Sequence, residues 1–459
     1  MTFIYQSLRK ELINYLLFTL ALAIIMTGEA FIFEYIIRVA SQKSWADYLL
    51  MLVIVLVFLL SQTVIYYLQQ ALTEKLSKLA TARYKERFFQ KMSQKPLLDL
   101  QKEGKGNWIS SLTLQMELLQ QSYFYTIFWA GYLVCQLLVA TVMAFWLNPL
   151  IALMALLLTL PNLLIAILGR QRLEQHQGQL TIANNVYVRQ TSDLIEGLEE
   201  WKVGQGQEQV NQRFQVENHD LLQKQVKVLR FEQVIAALNQ FFSNLLYLGA
   251  WIIGAYFIIR GQLALPTLIA FSQLLARISF PIYSSSALIA QYISGRKILH
   301  DLEAQLATTE PTGTRKLTNL KRIDLLDYQF QNKAPLQVSF EAGKKYLLIG
   351  PSGSGKTSLL RHMLKLADNY DGDILINGQP LESWEDKSLY QHIHYLPQFP
   401  HIFAATLRDN LTLFQKNMDS DKLCQVLEQV QLKNWAKPDK LDLLLGQGVS
   451  NCREANKNG

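Results

Sequence analysis

Cysteine is nearly absent from this 459-residue chain: Cys135, Cys424 and Cys452 are its only three, far apart and in no metal-ligand spacing. That excludes a disulfide framework and a zinc site and leaves three ordinary reduced thiols. No stretch interleaves Lys and Arg with aromatics as a nucleic-acid-binding face does, so the net charge of +7 needs another explanation, and nucleic acid is not an expected partner. Charge is itself sparse, at 18% of residues against 50% hydrophobic. The scarcity is uneven, because nearly all the long uncharged runs lie before residue 295. The first run, about 12–37, is too long for a signal-peptide core and has no convincing cleavage site. It reads as a membrane span.

Spans are expected at about 12–37, 48–68, 124–147, 150–169, 234–259 and 263–293. Only Asn148-Pro149 separates the third from the fourth, since proline cannot continue the helix. The connections alternate in length. The two long ones, 69–123 and 170–233, carry nine and eight Lys plus Arg, whereas the three short ones share only Arg38, Lys43 and Arg260. By the positive-inside rule the long loops and both termini lie in the cytoplasm, in a protein of the plasma (inner) membrane. Both long loops have helix-like composition, and about 25 helical residues rise nearly 40 Å. Each loop is therefore expected to be two helices leaving the membrane and turning back, at Gly104-Lys-Gly106-Asn-Trp108 and at Val203-Gly204-Gln-Gly206-Gln207.

Ionisable residues within spans are costly and so are candidates for function. Glu29 and Glu34 lie in the first span and Arg277 in the sixth. Glu34 can pair with Arg38 one turn on; for Glu29 and Arg277 a cavity-lining role and a structural one both remain open. Pro161 and Pro281 are expected to kink their helices. Trp129, Trp146 and Trp251 fit interfacial anchors.

After a polar stretch containing Thr308-Thr-Glu-Pro-Thr-Gly-Thr314, the chain changes character. Short β-like runs (323–330, 336–340, 346–349, 373–376) alternate with helical stretches near 358–367, 402–413 and 419–432, the pattern of an α/β domain. Within it Tyr346-Leu-Leu-Ile349 leads into Gly350-Pro-Ser352-Gly353-Ser354-Gly355-Lys356-Thr357-Ser358 and then an apolar helix. Strand, glycine-rich loop and helix in that order form the context that a G-x-x-x-x-G-K-[ST] phosphate loop requires. Glycines let successive N–H groups point inward at phosphate oxygens, and the helix adds its positive N-terminal end. Gly350, Ser352, Gly353, Ser354, Gly355 and Ser358 are expected to line this cradle, with Lys356 reaching the β- and γ-phosphates and Thr357 offering its hydroxyl to Mg²⁺.

Spans, stalks and phosphate-loop domain together resemble the exporter-type ATP-binding cassette half-transporters over essentially the whole chain. Asp371-Gly-Asp-Ile-Leu-Ile-Asn-Gly378 is similar to that family's G-x-I-x-I-x-G turn. His394-Tyr-Leu-Pro-Gln398, continuing through Phe403 and Thr406-Leu-Arg-Asp-Asn410, resembles its Q-loop, and Ile195–Glu208 more weakly resembles its second coupling-helix region. The resemblance implies a polytopic α-helical membrane domain of six transmembrane helices with long cytoplasmic extensions (1–300), a linker (301–319), and a partial, incomplete α/β nucleotide-binding domain (320–459). It implies ATP and Mg²⁺ as cofactors, with Gln398 a catalytic residue that contributes to Mg²⁺ and the attacking water. It also implies the lipid bilayer, a transported substrate and a second half-transporter, in a homodimer or heterodimer, as partners. Where the family stacks adenine on an aromatic, this chain has Phe330-Gln-Asn332, so Tyr328 or Phe330 substitutes or the stacking is weak.

The family's LSGGQ-type signature, its Asp-Glu strand and its switch histidine are absent from the sequence. The residues present are therefore expected to grip triphosphate but to hydrolyse it poorly or not at all alone. The alternative reading is a nucleotide-binding, non-hydrolysing membrane protein acting as a regulatory or degenerate partner subunit. Back-translating Cys452–Gly459 with one base restored allows a reading L-S-G-G followed by Q, E or K, which points to a frameshift, or a sequencing error, near Asn451. Sequencing the gene across that codon should reveal a single-base change that opens this frame; finding none sinks the idea.

Overall fold

The computed structural model describes residues 8–42, 44–307, 313–331, 334–397, 400–416 and 418–445. The chain forms two compact units, Met1–Thr309 and Glu310–Gly459. Gln398, Asn332, residues 308–312 of the linker and the stretch from 446 onward lie outside the described residues.

Long helices build the first unit: α1 (Arg9–Gln42), α2 (Trp45–Ser93), α3 (Lys105–Leu147), α4 (Pro149–Glu196), α5 (Gln207–Ile259) and α6 (Leu265–Gln305). Among the described residues, α1, α2, α3, α5 and α6 are long and apolar enough to cross a membrane. The expected span at 150–169 falls within α4, which continues past Pro161, as α6 continues past Pro281. Asn148 breaks α3 from α4 in an extended conformation, and its Oδ1 accepts from the Leu150 N–H. With 49 and 53 residues, α2 and α5 run roughly 70–80 Å at 1.5 Å per residue, more than twice a ~30 Å hydrocarbon core.

The two long loops turn alike. Short helices, Leu97–Glu103 and Leu198–Val203, occupy the tips. The Trp108 indole donates to the Leu100 carbonyl at 3.0 Å and the Trp201 indole to the Leu194 carbonyl at 2.8 Å, so each tip is closed by the same bond.

Helices of this unit meet through small residues. Ala30, Ala140, Ala144, Ala250 and Ala270 are buried around Phe271 and Leu274, letting backbones approach where no hydrophobic force separates helix from lipid. Leu49, Val53, Leu56, Val57 and Leu60 of α2 are exposed instead. α3 contains two π-helical stretches, Ser111–Gln115 and Gln120–Tyr125. A Cβ at Gly295 of α6 would come within 2.6 Å of the Ser122 carbonyl, so only glycine lets α6 lie on the second of them.

The charged residues in the spans are paired. Arg38 reaches Glu34 at 2.7 Å along α1. Arg277 of α6 donates to Glu29 of α1 at 2.5 Å, and the Gln62 amide of α2 reaches the same Glu29 oxygen at 3.4 Å. Three helices therefore meet at one carboxylate.

The second unit holds a four-stranded antiparallel sheet in the order β2-β1-β3-β4, with β1 at Arg322–Gln329, β2 at Leu336–Glu341, β3 at Asp371–Ile376 and β4 at Gln379–Pro380. Ile323, Leu325, Ile374 and Ile376 bury one face against Leu359 and Met363 of α7 (Lys356–Met363). Further helices follow: α8 (Asp386–His392), α9 (Leu407–Thr412) and α10 (Ser420–Gln429). Leu407, Leu423, Leu427 and Leu441 form a separate small core.

The strand expected at Tyr346–Ile349 does not form. These residues are irregular, with Leu347 and Ile349 84% and 82% exposed. Four apolar residues have the composition of a central parallel strand, but such a strand exists only where neighbours take its backbone groups. Its described tie to the sheet is a side-chain one, the Glu341 N–H donating to the Tyr346 hydroxyl.

Removing one partner of the Glu29–Arg277 pair strands a charge among apolar helices, at about 3 kcal/mol. Glu29→Ala should lower the melting temperature of the detergent-solubilised chain, and adding Arg277→Met should restore most of the loss. A double variant as unstable as the single one would show that the pair does not clamp α1 to α6.

Candidate nucleotide site

The glycine-rich loop hangs from the start of α7. Gly355 is its N-cap with φ +88° and Gly353 has φ +75°, a backbone region open to glycine without strain. A Cβ at Gly350 would come 2.8 Å from the Ser354 hydroxyl, and the Ser354 N–H closes the turn on the Pro351 carbonyl at 3.2 Å. Leu359 is the first residue whose N–H enters the α7 ladder, bonding to Gly355 at 2.9 Å. The N–H groups of Lys356, Thr357 and Ser358 therefore open the helix without intrahelical partners, beside the exposed Thr357 side chain. Gly350 through Ser358 form one continuous loop and helix start; Gln398 lies outside the described residues.

Lys356 folds back across the loop. Its Nζ donates to the carbonyls of Gly350 and Pro351 at 2.7 and 2.8 Å and to the Ser354 hydroxyl at 3.2 Å. All three partners are neutral oxygens, and a charged phosphate oxygen makes a stronger acceptor than any of them.

Beside the loop is a hollow of about 220 Å³, lined by Phe330, Ala334, Leu336, Leu348, Ile349 and Lys356 among others. It is apolar with an ammonium at one end. Of its two aromatics only one is free to meet a ligand. Tyr328 is 5% exposed, and its hydroxyl lies 2.7 Å from Nδ1 of the fully buried His362. His362 Nε2 lies 2.9 Å from Asn369 Oδ1. That oxygen can only accept, so Nε2 carries the proton and Nδ1 accepts from the phenol. Burial pushes the Tyr328 phenol up, which keeps it a neutral donor. Phe330, half-buried, packs edge-on to the His362 ring at 5.3 Å and faces the hollow. The sequence reading missed His362, because spacing does not distinguish a histidine that pins the core from one on a helix surface.

The Q-loop continuation is structural where it is described. The Thr406 hydroxyl caps α9 by accepting from the Asp409 N–H at 3.0 Å. Asn410 accepts from the Phe403 N–H and donates to the Phe403 and Thr406 carbonyls, locking the preceding turn.

A loop that a Cβ would obstruct, unpartnered helix-start N–H groups, a displaceable lysine and a neighbouring apolar hollow fit a nucleotide polyphosphate with its base. Comparison with known proteins agrees with both halves. Residues 12–282, more than half of the chain, match the model of the ABC transporter transmembrane region, and residues 334–447 match that of the ABC transporter. The beta-(1→2)glucan export ATP-binding/permease protein NdvA of Bartonella bacilliformis is 23% identical over 458 residues, covering 93% of this chain and 74% of its own. The glutathione/L-cysteine transport system ATP-binding/permease protein CydC of Escherichia coli is 29% identical over 176 residues, 37% of this chain and 31% of its own. Among solved structures, a bacterial Atm1-family ABC exporter with ATP bound superposes with a TM-score of 0.75 at 16% identity, over 96% of this chain and 80% of that one. That last likeness is one of fold alone. With membrane-length helices and a phosphate loop in one polypeptide, and family matches over both, the chain belongs to the ABC transporter family.

Proposed function

We propose that this chain is one half of an ATP-driven exporter, integral to the inner membrane, with the nucleotide-binding unit and both termini in the cytoplasm. The observation that carries the reading is the loop Gly350–Ser358, whose lysine rests on neutral oxygens at the head of a helix, in the same polypeptide as membrane-length helices. The loop N–H groups and Lys356 hold the polyphosphate, Thr357 is the metal-side hydroxyl, and Phe330 stacks on the base. Gln398 keeps the metal- and water-positioning role that the sequence pattern implies. Bound MgATP supplies the free energy of its phosphoryl transfer.

A second chain is needed, identical or related, because in this architecture nucleotide is held between two such units. Binding energy that is larger in one conformation than in the other shifts the membrane domain between its states. The six spans of 1–300 form half of the path. The named cargoes of the relatives, a glucan for one and glutathione or cysteine for another, differ too much in chemistry to transfer to this chain.

ATP binding to the full chain in nanodiscs tests the assignment. Lys356→Ala should weaken it at least 50-fold, and Phe330→Ala about 10-fold, the worth of one base–aromatic stack of 1–3 kcal/mol. Tyr328→Phe should destabilise the unit by about 1–3 kcal/mol, since it leaves buried His362 Nδ1 unpaired, while ATP affinity changes less than twofold. Unchanged affinity in Lys356→Ala would falsify the nucleotide site.

A further inference from the structure

A second cavity lies wholly within the first unit, with a volume of about 570 Å³, the size of a small-molecule site. It opens where α4, α5 and α6 meet the second π-helical stretch of α3, and its polar lining includes Gln177, Glu232 and Gln233 with the serines 122, 284 and 294 and Gln291. These positions run inward from the edge of the expected spans on the side of the long loops: Glu232 precedes 234–259 by two residues, Gln291 lies two residues before the end of 263–293, and Ser284 lies about two turns further in.

Two features set this cavity apart from a packing defect. The first is charge. Glu232 is the one ionisable group among its described lining residues. Its Oε1 accepts from the Gln177 amide at 3.0 Å, and its other oxygen has no partner among the described residues. Arg172, Arg230, Arg296 and Lys297 lie on the same three helices, but none lines the cavity. A half-buried carboxylate thus faces an open-mouthed cavity with no counter-ion among the described residues, which repels anions and attracts a cation.

The second feature is unspent hydrogen-bonding capacity. Serine in an apolar helix ordinarily bonds its own helix's carbonyls, as Ser285 does to Ile282 at 2.6 Å and Ser272 to Ile269 at 2.8 Å. Ser284, one residue before Ser285, makes no such bond; nor do Ser122, Ser294 and the Gln291 amide find partners among the described residues. Four side chains line the cavity with no hydrogen-bond partner among the described residues. Gly295 fixes part of this arrangement, because the close approach of α6 that it permits brings the backbone of Ser122 against the helix carrying Ser294.

The geometry points to a substrate site for a small molecule bearing a protonated amine, with Glu232 its charge partner and the serines and Gln291 its hydrogen-bonding frame. This inference rests on the transport reading above and names the class of substrate that the reading leaves open. Phosphates, carboxylates and other anions are excluded by the same carboxylate.

Three dansyl probes of similar size test it by fluorescence: dansylcadaverine as the cation, dansylamide as the neutral compound and dansylglycine as the anion. Each is titrated against the full chain in phosphatidylcholine nanodiscs without nucleotide. Dansylcadaverine should bind at least 10-fold more tightly than dansylglycine. Glu232→Gln should abolish that preference by weakening the cation about 10-fold while changing dansylamide less than twofold. Ser284→Leu fills the cavity and should weaken dansylcadaverine and dansylamide alike. ATP affinity, measured on the same samples, reports folding and the transport reading separately. If ATP binds normally but the cation has no advantage, or keeps it in Glu232→Gln, the cavity assignment is overturned and the transport reading stands. A Glu232-dependent cation preference in a chain that binds no ATP would support the cavity and overturn the transport reading instead.

Discussion

Hydrocarbon offers no partner to a backbone N–H or C=O, and the first unit is organised by that constraint. Each segment that enters the apolar layer must satisfy its own backbone, so it enters as a helix, and polar side chains there must find partners too. Thr27 bonds Ala23, Thr63 bonds Leu59, and Ser272 bonds Ile269, each within its own helix. Arg277 and Glu29 bridge two helices because neither can be satisfied within one. Against this economy the unpartnered serines and the single-bonded carboxylate beside α4, α5 and α6 stand out, because they converge on one cavity.

The phosphate loop inverts the same logic. Gly350–Gly353 and Thr357 are exposed, so leaving N–H groups open at the head of α7 costs little, and glycine is needed to turn them inward. The neighbouring core supplies the rigidity. Tyr328, His362 and Asn369 form a chain of hydrogen bonds beneath the helix, which fixes α7 against the sheet and leaves Phe330 as the aromatic able to meet a ligand. The unit separates its aromatics by role: one is locked inside by its hydroxyl, and one without a hydroxyl faces the hollow.

How far the sequence could be read follows from how local each signal is. Long uncharged runs identify membrane-length helices because the signal accumulates over some twenty residues, and Glu34–Arg38 is legible because helix geometry brings i and i+4 together. Glu29 and Arg277 are 248 residues apart; each was recognisable as a candidate, but their pairing depends on how α1 packs on α6. The apolar run Tyr346–Ile349 misled for the converse reason. Its composition is that of a buried strand, but a strand is a property of the neighbours that pair with it, and no described strand does. The choice between Tyr328 and Phe330 stayed open in the sequence because it turns on His362, 34 residues away.

Ser284 and Ser285 show most plainly what the sequence withholds. They are adjacent, identical and in the same helix, so composition, propensity and hydropathy treat them alike. Successive residues on a helix point about 100° apart, and that rotation separates a hydroxyl spent on the Ile282 carbonyl from one left facing the cavity. The same rotation along α5 places Glu232 toward α4, where Gln177 can reach it, and leaves Arg230 exposed. A net positive chain can therefore line a cavity with one negative group: Arg172, Arg230 and Arg296 lie on exposed faces of the same helices, while the packing of three helices selects one carboxylate to look inward. Charge counted along the sequence sets the expectation of which loops face the cytoplasm; charge sorted by helix face bears on what the cavity can hold.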